Sequence, residues 1–111
     1  MNALKILGLC ALTISAAVPT ASYAADPIVL AANLGGQLGK AIYCGFDTDE
    51  FTRLAGRAID SNTTNENRGA ALLQFAITAE MATKSGPVGE SCREFNKGFQ
   101  GTIRILREAG F

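Results

Sequence analysis

Apolar residues recur at three- and four-residue spacing in four stretches of this chain, and none of the four alternates apolar and polar positions as a half-buried strand does. The first stretch spans 28–43, the second follows Asp47, the third covers about 65–83 and the fourth about 89–109. Their stripes are Leu30, Leu34, Leu38 and Ile42; Phe51, Leu54, Ala55, Ala58 and Ile59; Leu72, Leu73, Phe75, Ala76, Ile77 and Met81; and Cys92, Phe95, Phe99, Ile103 and Leu106. This pattern predicts an all-α fold, a small four-helix bundle with antiparallel or irregular packing.

Glycines and acids predict where several of these helices begin and end. Gly45 is a candidate left-handed stop for the first helix, and Gly110 is a candidate cap for the fourth. Asp47 and Glu50 have the spacing of a capping box at the start of the second helix.

The third helix carries apolar residues around well over half of its circumference. A helix of this kind is typical of the centre of a bundle, so we expect it to be central. Glu80 lies among these apolar residues, and we expect it to be partly buried and paired with Lys84 one turn later.

Small residues form a smooth stripe on the first helix. Ala31, Gly35 and Gly39 are spaced four apart and share one face, which lets another backbone approach closely. The stripe has two interpretations: close packing inside the same domain, or a surface through which two copies form a homodimer.

The first 24 residues have the order of a secretory signal peptide. One early cation, Lys5, precedes an uncharged apolar run over 6–18, and small residues up to Ala24 provide the cleavage site. A membrane anchor needs about 20 apolar residues, and this run is shorter. We therefore expect residues 1–24 to be a cleaved signal, residues 25–111 to form a single helical domain, and no membrane span after cleavage.

Cleavage removes Cys10 and leaves two cysteines, Cys44 and Cys92. Exported proteins mature in an oxidising compartment, so we expect these two to form a disulfide. The alternative is a redox-active pair, but a separation of 48 residues lacks the Cys-x-x-Cys spacing that activates a thiolate.

Composition argues against several kinds of chemistry. The chain has no histidine, which is the commonest general base and metal ligand, so we expect no enzyme activity, no metal site and no cofactor. After cleavage ten acids face nine bases, and this balance provides no attraction for nucleic acid. An enzyme with paired carboxylates is a weaker alternative, which would require Glu80 to lie beside another acid in a pocket.

Four residues are candidates for contact with an unknown protein partner. Arg53 and Arg57 lie one turn apart and form a small cationic ridge suited to an acidic surface. Phe46 in a turn and Phe111 at the C-terminus lie outside the core spacing, and they are interface candidates if exposed.

A predicted signal, a short helical domain and one long-range cysteine pair resemble two groups in architecture. One is the periplasmic acid-stress chaperones of the HdeA type, and the other is the helical immunity proteins that block cell-wall amidases. We expect a small protein-binding or inhibitor module in the periplasm of a Gram-negative bacterium, or secreted. The alternative is a chaperone that loosens when carboxylates are protonated at low pH.

Overall fold

The computed structural model describes residues 26–111, which form four helices and, within that range, no strand. These are α1 (Pro27–Tyr43), α2 (Asp49–Ser61), α3 (Arg68–Ser85) and α4 (Cys92–Glu108). The predicted all-α four-helix bundle is confirmed, and the stripes of α2 and α4 bury their apolar residues as expected. The predicted leader, residues 1–24 with Cys10, lies outside the described residues.

The helix ends show where local sequence determines backbone geometry. Gly45 and Gly110 both have positive φ, 78° and 92°, and each follows the last residue that is still helical in conformation. After Gly45, the amide of Phe46 donates to the carbonyl of Ala41, which completes a Schellman motif. The predicted left-handed stops are therefore confirmed.

The predicted capping box of α2 is wrong. The Asp47 carboxylate accepts from the amide of Asp49, two residues on, and Glu50 instead pairs with Arg107 of α4. A capping box does occur at α4, where the Ser91 hydroxyl accepts from the amide of Glu94 and Glu94 accepts from the amide of Ser91. Glu50 does not cap α2, because its carboxylate pairs with the guanidinium of Arg107 at 2.8 Å.

The small stripe of α1 packs against α3 inside the same chain. A methyl group added at Gly35 would meet the carbonyl oxygen of Phe75, and one added at Gly39 would meet that of Ala79. Ala31 in the same stripe is fully buried. Of the two interpretations of this stripe, packing inside the same chain or a homodimer through Ala31, Gly35 and Gly39, the structure shows the first, because α3 covers these residues.

Aromatic rings fill the space between α2, α4 and the turn after α1. Phe51 and Phe99 are fully buried, with ring centroids 4.9 Å apart. Phe46 lies over this cluster, 6.4 Å from the ring of Phe95 and 6.3 Å from that of Phe99. Such ring pairs add to the stabilisation that comes from burial alone.

The predicted disulfide is confirmed. Cys44 lies just after α1 and Cys92 is the first residue of α4, and their Cα atoms are 5.7 Å apart. The bridge therefore joins the helix pair α1–α3 to the helix α4 across a separation of 48 residues. A disulfide in a domain of this size is typical of proteins that mature in an oxidising setting.

The third helix is not central, which corrects the expectation from its apolar content. Its inner side consists mainly of alanines, of which Ala71, Ala79 and Ala82 are buried against neighbouring helices. The prediction that Glu80 is partly buried is also wrong, since its side chain is 74% exposed, although the ion pair with Lys84 exists at 3.7 Å. The helix is apolar on two sides, and the bundle covers one of them.

Candidate protein-binding surface

A stripe of apolar residues runs along the solvent side of α3. We define the α3 face as Ala70, Leu73, Ile77 and Met81, which are spaced three, four and four residues apart. At about 100° of rotation per residue, these four positions fall within an arc of about 80°. All four are exposed, and the exposed fractions of the three large side chains are 61%, 44% and 66%.

The outward direction of this face follows from the packing on the opposite side of the helix. The glycines of α1 accept only small neighbours at close range, so α3 turns its alanines and the backbone of Phe75 toward α1. Bulky residues half a turn away must then point to solvent. The α3 face is thus a geometric consequence of the tight α1–α3 contact.

Charged residues flank the α3 face at both ends. Glu66 is exposed in the turn just before the helix, and Lys84 is exposed in its last turn. Glu66 lies four residues before Ala70, in the turn that precedes the first helical residue, Arg68. Proteins that are monomeric in water rarely expose a large contiguous apolar patch, and one with a polar rim is typical of a docking surface.

No family model, curated protein or solved structure matches this chain.

Two recesses of the described domain are open and have polar residues among their lining. A groove of about 270 Å³ lies between α1 and α4, with Phe95 and Phe99 at its base and Lys40 and Glu94 among its rim residues. A second depression of about 290 Å³ lies on α1 beside Gly36. Neither recess encloses a ligand-sized space with convergent polar groups, as most small-molecule sites do.

The four residues that the sequence predicted for partner contact differ in exposure. Arg53 and Arg57 are exposed on α2, and the ion pairs found within residues 26–111 involve neither of them. Phe46 and Phe111 are partly buried against the core. Their condition for an interface role, exposure, is not met, because the Schellman turns fold both rings back onto the bundle.

The described residues contain no group of three or more metal-ligating side chains. They also bury no polar or charged side chain. Glu80 pairs with the Lys84 ammonium group, 3.7 Å away. In the same part of the chain, no helix is both long enough and apolar enough to cross a membrane.

Sequence reasoning missed the α3 face, although two signals together pointed to it. The apolar circumference of α3 was visible, and so was the glycine stripe of α1. A helix that packs against glycines at backbone distance presents its smallest side chains there. This rule would have assigned Leu73, Ile77 and Met81 to the opposite side of α3.

Proposed function

We propose that this protein is a small exported protein-binding module of the inhibitor or immunity type, which acts in the periplasm and docks through the α3 face. The observation that carries the proposal is the outward apolar stripe of Leu73, Ile77 and Met81. Export is supported by the signal-like order of residues 1–24 and by the disulfide between Cys44 and Cys92.

The exposed area of the stripe is enough to matter for binding. Complete burial of a Leu, Ile or Met side chain stabilises by about 1.5–3 kcal/mol. The three large side chains of the α3 face are 61%, 44% and 66% exposed. Covering their exposed parts therefore contributes about 3–5 kcal/mol before the cost of association is subtracted.

Binding fits the described residues better than chemistry does. The apolar stripe lies on a rigid helix that is held by close backbone contact with α1, so it is presented without a loop that must first become ordered. The polar groups of the domain are on its surface and largely serve as caps and helix-surface ion pairs.

Site-specific photo-crosslinking in cells tests the proposal. A photoreactive amino acid at position 77 should give a protein adduct in the cell envelope, whereas the same probe at position 105 should not. Ile105 is the control, because it is also an exposed isoleucine, 64% exposed against 44% for Ile77, and it lies on α4. The protein in the adduct, once purified, should bind the wild-type chain and lose binding to the Leu73→Glu variant. Equal adducts at both positions, or none at position 77, would refute the α3 face as the docking surface.

A further inference from the structure

We infer that the α3 face binds a second copy of this chain, with the two α3 helices antiparallel about a twofold axis. This inference rests on the proposed function, because it concerns the same surface: a second copy and another protein partner compete for the α3 face. Three observations support it: the spacing of the stripe, the sizes of its side chains and the charges at its two ends.

The spacing of the stripe is that of a helix-to-helix seam. Ala70, Leu73, Ile77 and Met81 are separated by three, four and four residues, which is the spacing of inward positions in an eleven-residue helix repeat. Such a seam requires a partner helix with a similar apolar stripe. A second copy of α3 meets that requirement without any further assumption.

The sizes of the side chains are complementary when the stripe pairs with itself in the antiparallel sense. If the two ends of the stripe coincide, the long Met81 of one copy lies opposite the small Ala70 of the other. Leu73 then lies one residue, about 1.5 Å along the axis, from Ile77 of the other copy. Large residues meet small ones at the ends, and the two branched side chains meet near the centre.

The charges that flank the stripe favour the same antiparallel register. The same alignment places Lys84 of one copy beside the first turn of the other copy's helix, next to the turn that contains Glu66, and the twofold axis generates this contact twice. Both side chains are exposed, and Lys84 also lies 3.7 Å from Glu80 of its own helix. A parallel arrangement would instead place Lys84 opposite Lys84 and Glu66 opposite Glu66, and each of these contacts is repulsive.

Small residues beside the stripe also favour a close approach of the two α3 helices. Gly69 and Ala76 lie on the exposed side of α3 beside the stripe, and a methyl group added at Gly69 would meet no other atom within 4 Å. Small residues beside a seam allow two helix backbones to come near each other.

Sedimentation equilibrium of the exported, oxidised protein tests the inference. The wild-type chain should pass from monomer to dimer as its concentration rises from micromolar to millimolar. Ile77→Asp should keep it monomeric, and Ile105→Asp, the matched change on α4, should not. Circular dichroism of each variant checks that the helices are intact.

A charge-swap cycle tests the antiparallel register. Glu66→Lys alone and Lys84→Glu alone should each raise the dimer dissociation constant by about tenfold, because each change replaces two attractive pairs by two repulsive ones. The double variant should return to within about twofold of the wild type. A dimer whose strength does not recover in the double variant would overturn the register.

The two proposals fail in different ways. If the chain stays monomeric up to millimolar concentration while the probe at position 77 captures a different protein, self-pairing is refuted and the proposed function stands. If position 77 captures nothing and the chain is monomeric, both are refuted. An adduct of twice the mass of the chain at position 77 supports self-pairing.

Discussion

Substitution of Gly39 by alanine tests the close contact between α1 and α3, on which the direction of the α3 face depends. The added methyl group would meet the carbonyl oxygen of Ala79. It would also lie 2.6 Å from the Cβ of Ala82 and 2.7 Å from the amide nitrogen of Thr83. Two of these three neighbours are backbone atoms, which cannot move aside by a change of rotamer, so the helices must separate.

The expected effect is a net loss of stability. Overpacking of this kind typically costs about 1–3 kcal/mol, and rigid backbone neighbours place Gly39→Ala at the upper end of that range. The gain in helix propensity from glycine to alanine offsets about 1 kcal/mol of the cost. We expect the free energy of unfolding to fall by about 2 kcal/mol, which lowers the Tm of a domain of this size by about 10 °C.

Gly56→Ala is the matched control. Gly56 lies inside α2, and a methyl group there would meet no atom within 4 Å. The same chemical change should therefore stabilise, by about 1 kcal/mol through helix propensity alone. Thermal unfolding followed by circular dichroism measures both variants. If Gly39→Ala raised the Tm as Gly56→Ala does, the backbone-distance contact of α1 with α3 would be wrong.

Three further predictions concern the bonds that hold the helices together. Replacing Cys44 and Cys92 by serine should lower the free energy of unfolding by about 4 kcal/mol, because the unfolded chain regains the conformational entropy that a closed loop of about 49 residues removes. Urea denaturation should then show a domain that is barely folded. Phe46→Ala should cost about 2 kcal/mol in the same assay, because the ring packs on two other aromatic rings, and an unchanged midpoint would show that it is exposed. Arg107→Gln should cost at most about 1 kcal/mol, since its pair with Glu50 is more than 40% exposed on both sides, and the difference from wild type should shrink in high salt.

Local periodicity predicted most of the fold. The stripes of α2 and α4 have one apolar side each, so the side that must be buried was unambiguous and Phe51, Phe99 and Ile103 lie inside. The glycine stops at Gly45 and Gly110 were predictable because few other residues adopt a positive φ without strain. The cysteine pairing followed from the predicted cleavage, which leaves two cysteines in the mature chain.

The rest depended on contacts between segments that are distant in sequence. Local spacing predicted a capping role for Glu50, but Glu50 pairs with Arg107, which is 57 residues away. The apolar pattern of α3 did not identify its inner side, because both sides are apolar and only the glycines of α1 distinguish them. Helical spacing predicted that Phe46 and Phe111 lie outside the core. Each residue follows a helix stop, where helical spacing no longer applies, and each ring packs against the core.

Oxidation of Met81 tests the central claim, that the α3 face is covered in the cell, most directly. Met81 is 66% exposed in the isolated domain, and the chain's other methionine is Met1 in the predicted leader. A Lys97→Met variant adds a reference methionine at an exposed position on α4 in the same molecule. In the dilute purified protein, both should convert to the sulfoxide at similar rates under a mild oxidant. In intact envelopes the account predicts that position 97 is oxidised while Met81 is protected. Equal oxidation of the two positions in the envelope would contradict it.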